Sequence, residues 1–119
     1  MPIPSYQMIM TPMLDLLTSG QVYTIGELIE RMAEHFGLTP EERRVLIPSG
    51  TFPLFNNRVH WCKTYLKQAG LLEQPQRGKV RITPRGREAL RHNPAGINLE
   101  VLEGYTESRN SGSVPARPR

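Results

Sequence analysis

The sequence predicts an α+β fold, mostly α-helical, of the winged helix-turn-helix class, with a C-terminal β-hairpin wing and a following helix. Amphipathic segments with helix start and stop signals fill most of residues 1–70. Two short β-prone segments separated by a turn come directly after them. A plain helix-turn-helix lacks a hairpin at that place, so the order of elements indicates the winged variant.

The 119 residues have room for one domain, which we expect over residues 1–103. From Gly104 the composition shifts to Ser, Gly, Pro and Arg, which predicts a flexible tail or an interdomain linker over residues 104–119. The single cysteine excludes an internal disulfide, and no apolar run approaches the ~18 residues of a membrane helix. We therefore expect a cytoplasmic protein without a membrane partner.

The first helix is predicted from Tyr6 to Thr18. Pro12 within it marks either a kink or the true start of the helix, with Thr11 as N-cap. Residues 21–23 form a short extended stretch that could pair with later strands. Thr24 and Glu27 form a capping box that opens a second helix, which ends near Phe36.

A second capping box at Thr39 predicts a short helix to about Leu46, followed by a loop at 47–55 that is rich in proline and glycine. The third long helix is predicted from Asn56 to Ala69. A hairpin follows, with strands at 71–74 and 79–82 and a turn at 75–78. A further helix at 84–92 and one or two helical turns within 97–102 complete the predicted domain.

The helix at 56–69 has two unlike faces. Its apolar stripe consists of Val59, Cys62, Leu66 and Ala69. The flanking Trp61 and Tyr65 are expected at or beside the core, and the alternative is that they stack on a base. The opposite face carries cations and short hydrogen-bonding side chains without any acid: Asn56, Asn57, Arg58, His60, Lys63, Thr64 and Lys67. Such a face suits a helix in the DNA major groove, because cations neutralise phosphates and the polar groups can pair with base edges.

The hairpin carries charge of the same sign. Val80 and Ile82 alternate with Lys79 and Arg81, and Arg77 lies at the turn. These three cations can follow the DNA backbone, or Arg77 can enter a minor groove. The alternative is an edge strand on which Lys and Arg prevent aggregation.

The net charge of +4 is unevenly distributed. Residues 1–42 hold one arginine and six acids, whereas residues 43–91 hold eleven Lys or Arg and only two acids. A basic block of this kind is typical of proteins that bind a polyanion, nucleic acid first and an anionic membrane second. The alternative is a solvated basic face without a partner.

Catalytic chemistry finds no support in the sequence. Asp15 is the only aspartate, whereas a metal-dependent nuclease needs two or three convergent carboxylates. No phosphate-binding glycine loop and no nucleophile with a plausible base is present. We expect no catalytic residues, no metal site and no cofactor in this chain.

Four segments together resemble the N-terminal domain of Mrr-type restriction endonucleases, which are modification-dependent and type IV-like. They are Tyr6 to Leu17 with its MTPML run, FGLTPEERRVLIPSG at 36–50, NNRVHWCKTYLKQAGLL at 56–72 and RGKVRITPRGREAL at 77–90. The similarity covers about residues 4–103.

This resemblance implies a winged-helix module that binds double-stranded DNA and precedes a C-terminal nuclease domain cleaving methylated DNA. The family's recognition helix maps onto residues 56–67 and its wing onto residues 74–81. The nuclease motif has no counterpart here, so the chain is expected to be either a fragment or a stand-alone homologue. Two alternatives remain open, namely a winged helix used for protein contact or homodimerisation, and a small transcription regulator.

Overall fold

The computed structural model describes the backbone of residues 3–110 and the side-chain surroundings of residues 3–105. Over these residues the elements follow in the order α1 (Tyr6–Leu17), β1 (Tyr23–Thr24), α2 (Ile25–Phe36), α3 (Pro40–Arg44), α4 (Leu54–Gln68), β2 (Leu72–Gln76), β3 (Lys79–Ile82), α5 (Pro84–His92) and α6 (Leu99–Asn110). A hairpin that follows the long helix α4 and is itself followed by a helix confirms the predicted α+β, mostly helical winged helix-turn-helix class.

One antiparallel sheet joins the beginning of the chain to the hairpin, with strand order β1-β3-β2. Tyr23 of β1 pairs with Val80 of β3, and Leu72 of β2 pairs with Ile82 on the other side. The predicted pairing of the short extended stretch with later strands is therefore confirmed, with the strand shifted to Tyr23–Thr24.

The wing turn is tighter than predicted. We expected a turn over residues 75–78, but β2 continues to Gln76, which pairs with Lys79, so only Arg77 and Gly78 form the turn. Gly78 has a φ of 75°, a left-handed conformation that favours glycine. Pro75 has no N–H to donate to a neighbouring strand. It fits in β2 because β2 is an edge strand and its register with β3 is irregular between Glu73 and Gln76, so no hydrogen bond from position 75 is needed.

Helix α1 begins at Tyr6, where the Ser5 hydroxyl accepts a hydrogen bond from the Met8 N–H at 3.3 Å. Pro12 lies inside the helix, so the predicted alternative of a start at Pro12 with Thr11 as N-cap is wrong. The Thr11 hydroxyl instead accepts the N–H of Ile97 at 2.8 Å. This bond fastens the middle of α1 to the segment before α6.

The predicted loop before α4 is an ordered hairpin-like segment over residues 45–54, called here the 45–54 hairpin. The N–H of Leu54 donates to the carbonyl of Val45 at 2.7 Å, and that of Ile47 to the carbonyl of Phe52 at 2.9 Å. Because α3 ends at Arg44 and α4 begins at Leu54, both predicted boundaries, at Leu46 and Asn56, were wrong by two residues.

Helix α6 is longer than the one or two turns predicted within 97–102. It extends over Leu99–Asn110, so residues 104–110, which we expected to be tail or linker, continue the helix. Residues 111–119 lie outside the described residues. The division into a domain at 1–103 and a tail at 104–119 remains a prediction.

A single apolar core lies between α1, α2, α4 and the sheet. The predicted stripe of α4 is confirmed, since Val59, Cys62, Leu66 and Ala69 have no exposed surface. Residues from every helix except α3 join them in one cluster. Within residues 3–110, no helix combines the length and the apolar character that crossing a bilayer requires.

Helix α5 approaches the sheet at Gly86. A Cβ atom at this position would overlap the carbonyl oxygen of Leu71 and lie 2.7 Å from Cγ1 of Ile82. Glycine is therefore needed here for space, not for an unusual backbone conformation.

We expect Gly86→Ala to lower the free energy of unfolding by about 1–3 kcal/mol, because the buried backbone at Leu71, just before β2, cannot easily move away. Urea denaturation monitored by circular dichroism measures this change. The control is Gly104→Ala in α6, where an added Cβ meets nothing within 4 Å and should leave stability unchanged or raise it by up to about 1 kcal/mol. Equal stabilities of the two variants would contradict the steric explanation.

Candidate nucleic-acid interface

Burial of one stripe of α4 fixes which side chains this helix presents to solvent. Opposite the buried stripe, Asn56, Asn57, His60, Lys63 and Thr64 are partly exposed and Lys67 is exposed. The predicted polar face thus lies on the surface of α4.

Arg58 does not share this face. Its Nη1 donates to the carbonyl of Ile3 at 2.8 Å and to that of Pro4 at 3.2 Å. Because these two bonds hold the segment before α1, the structure places Arg58 in a structural role that its position in the sequence does not reveal.

His60 and Thr64 are linked within the helix, since the Thr64 hydroxyl donates to the His60 carbonyl at 3.0 Å. The His60 ring packs against Phe52 of the 45–54 hairpin, with ring centroids 5.8 Å apart. Burial lowers the pKa of His60, and the nearby charge of Lys63 lowers this pKa further. The imidazole is therefore predominantly neutral at pH 7 and can both donate and accept a hydrogen bond.

Lys63 and Lys67 lie one turn apart on the same flank of α4. Burial lowers the pKa of Lys63, and the charge of Lys67 adds to this effect. Lys67 Nζ donates to Oε1 of Gln74 at 3.1 Å, which joins the C-terminal half of α4 to strand β2. The helix and the hairpin therefore meet at a polar contact.

Two of the three wing cations are exposed, as the alternation predicted. Arg77 lies in the turn and Lys79 at the start of β3, while Val80 and Ile82 are buried beneath them. The pKa of Glu27 is lowered first by its hydrogen bonds with Thr24, and the charges of Arg31 and Lys79 lower it further. Lys79 thus lies near the N-terminus of α2.

Arg81 differs from the other two wing cations because it forms a cross-strand ion pair. Its Nε and Nη2 atoms lie 2.7 Å and 2.6 Å from Oε2 of Glu73, its register partner on β2. Both side chains are a little under half exposed. The carboxylate offsets the charge that we expected Arg81 to offer to a phosphate.

Other arginines of the basic block also stabilise the fold. Arg43 forms an ion pair with Glu30, Arg85 donates to the Tyr105 carbonyl, and Arg87 donates to the Thr18 carbonyl. Within the described part of the chain, Lys63, Arg77 and Lys79 form no ion pair. We define the cationic face as Lys63, Lys67, Arg77 and Lys79.

Trp61 is not at the core, contrary to our expectation, because half of its surface is exposed. Its ring lies 5.9 Å from that of Tyr65, which stacks on Tyr6 at 5.1 Å. Tyr6, Trp61 and Tyr65, with Asn57 and Arg58, line a shallow cavity of about 240 Å³. The sequence contained one sign that Trp61 is exposed, because Trp61 lies one residue before Cys62 and therefore off the apolar stripe.

A second exposed apolar group lies at the N-terminal end of α4. Val45, Leu46 and Phe52 of the 45–54 hairpin are between about one third and one half exposed. The sequence pattern missed this group because it marked the segment only as an irregular loop.

The described residues contain no cluster of three His, Cys, Asp or Glu side chains that could hold a metal ion. Burial raises the pKa of the Cys62 thiol far above its ordinary value. This thiol is therefore not a nucleophile in the folded domain.

The comparisons with known proteins agree with one another. Residues 6–92 match the Mrr N-terminal domain family. The chain is 32% identical over 95 residues to the "Type IV methyl-directed restriction enzyme EcoKMrr" of Escherichia coli (strain K12), which covers 79% of this chain and 31% of that enzyme. No solved structure matches the chain significantly.

The chain therefore spans about one third of the relative that it resembles. The matched residues include α1, the whole of α4 and the wing. On these grounds the chain belongs to the Mrr N-terminal domain family.

Proposed function

We propose that this domain binds double-stranded DNA, with the polar face of α4 in the major groove and the wing on the adjacent backbone. The observation that carries the proposal is the contact between Lys67 and Gln74. It joins two elements of the same charge, so that the four residues of the cationic face can meet one DNA surface. A group of cations of this kind can neutralise several phosphates of the DNA backbone.

The residues fall into two groups by chemistry. Lys63, Lys67, Arg77 and Lys79 are suited to phosphates, since an ammonium or guanidinium group neutralises them without regard to sequence. Asn56, Asn57, His60 and Thr64 are suited to base edges, because each carries short hydrogen-bonding groups on the exposed side of α4. Arg81 can reach a phosphate only by leaving Glu73, and Arg58 acts by holding the N-terminal segment.

We infer further that the domain brings a nuclease domain to modified DNA. The support is the relative, whose name describes a methyl-directed restriction enzyme and of which this chain spans less than one third. In this proposal the domain supplies binding alone, and cleavage belongs to a C-terminal nuclease domain in the full-length protein.

The affinity for duplex DNA should fall steeply with salt. If the four cations of the cationic face each contact one phosphate, log K should fall with log salt at a slope of about −3 to −4. Fluorescence anisotropy with a labelled duplex of random sequence, measured across a potassium chloride series, gives this slope. Absence of binding at low salt would contradict the proposal.

The ion pair on the wing allows a gain-of-affinity test. Glu73→Gln removes the carboxylate that offsets Arg81, so we expect tighter binding to all duplexes and a slope steeper by up to about one. The matched control is Arg77→Gln in the adjacent turn, which should weaken binding and make the slope shallower by about one. If Glu73→Gln leaves affinity and slope unchanged, the wing does not contact DNA.

Binding should also depend on pH through His60. Burial and Lys63 lower its pKa in the free domain, whereas the negative potential of bound DNA favours the imidazolium and raises it. Because the bound state then takes up a proton, the affinity of the wild type should rise as pH falls from about 7.5 to 6. His60→Asn should show a smaller rise in anisotropy titrations over the same range, and identical profiles would place His60 away from DNA.

A further inference from the structure

We propose that the cavity beside Trp61 captures an unpaired base of the bound DNA by stacking. This proposal rests on the proposed DNA-binding function and adds a second mode of recognition to it. The ligand is a flat heteroaromatic base that has already left the double helix at a mismatch, a bulge or a strand end.

The position of Trp61 on α4 is the first reason. Asn57, Trp61 and Thr64 follow at i, i+4 and i+7, so they lie in one row along the exposed side of the helix. A helix that turns Asn57 and Thr64 toward base edges also turns Trp61 toward the DNA. The cavity is therefore continuous with the proposed DNA-contacting face.

The chemistry of the lining is the second reason. The exposed ring of Trp61 offers a stacking surface, and the stacked rings of Tyr6 and Tyr65 form a wall beside it. Asn57 offers an amide, and no acidic side chain lines the cavity. Proteins hold unpaired bases with this combination, since every base has a π-face and its exposed edge pairs with polar groups. An amide can make two hydrogen bonds with adenine.

Contacts within the domain hold part of the cavity lining. Tyr6 stacks on Tyr65 with an interplanar angle of 25°, and Arg58 holds the preceding segment by its bonds to Ile3 and Pro4. The exposed half of Trp61 is the part that remains uncovered. Side chains that such contacts already hold lose less conformational entropy when a base stacks beside them than free side chains would.

The size of the cavity favours a single base over a larger ligand. The volume of about 240 Å³ is below the roughly 300–1,000 Å³ typical of pockets for drug-sized ligands. Stacking on one ring offsets only part of the cost of extracting a paired base. The cavity should therefore leave intact duplexes unaltered and select DNA in which a base is already unpaired.

The experiment compares a 20-base-pair duplex with the same duplex carrying one extra unpaired adenine at its centre. We expect the wild-type chain to bind the bulged duplex at least about fivefold more tightly in anisotropy titrations. Trp61→Ala should bind both duplexes alike, so that the ratio of the two affinities falls to about one. Trp61→Phe keeps a stacking ring and should retain part of the preference.

Trp61 is the single tryptophan of the chain, so its fluorescence reports on the cavity directly and requires no variant. At saturation the bulged duplex should quench this fluorescence more than the paired duplex does. Lys67→Gln is the control for the cationic face and should weaken binding to both duplexes by the same factor.

Equal affinities and equal quenching of the wild type by the two duplexes would overturn the proposal. So would a Trp61→Ala variant that changes the oligomeric state in sedimentation but not DNA binding, because the cavity would then be a protein contact. If the wild type binds neither duplex, the proposed function fails. Quenching of Trp61 by single-stranded oligo(dA), or its absence, then decides separately whether the cavity holds a base.

Discussion

The candidate interface depends on the burial of one side of α4. Phe55, Val59, Cys62 and Leu66 have no exposed surface, and together they fix the rotation of the helix about its own axis. Truncating one large buried side chain costs about 2–5 kcal/mol, a sizeable share of the roughly 5–15 kcal/mol that stabilise a domain. A rotation that exposed this stripe would unfold the domain, so the polar row stays directed outward.

Arginine and lysine have different tasks in this domain. Several arginines form bonds within the fold, as Arg58 does with two backbone carbonyls and Arg81 does with a carboxylate, whereas Arg77 lies on the cationic face. The planar guanidinium, with five donors, suits such fixed contacts. Lysines are concentrated on the outer face, at positions 63, 67 and 79. The formal charge of the basic block therefore overstates the charge that this surface can offer to a polyanion.

Local signals in the sequence predicted most of the fold. Capping boxes at Thr24 and Thr39 and the apolar stripe of α4 depend only on neighbours along the chain, so a single sequence contains them. The cationic residues of α4 and the wing were likewise visible as a pattern. The pairing of Arg81 with Glu73 involves two strands, and the exposure of Trp61 depends on how α1 and its preceding segment pack on α4. Such contacts are set by tertiary structure, which a periodic pattern does not contain.

The buried sulfur of Cys62 has a consequence for how motions of this domain can be followed. It is the single thiol of the chain, lies in the core-facing side of α4 and has a strongly raised pKa. Alkylating reagents attack the thiolate, so the reaction requires α4 to separate from its neighbours first. The labelling rate of Cys62 then measures how often α4 separates from its neighbours. The measurement needs no substitution, because Cys62 is the single cysteine of the sequence. A bound ligand that holds α4 in place would lower the labelling rate of Cys62 without contacting its sulfur.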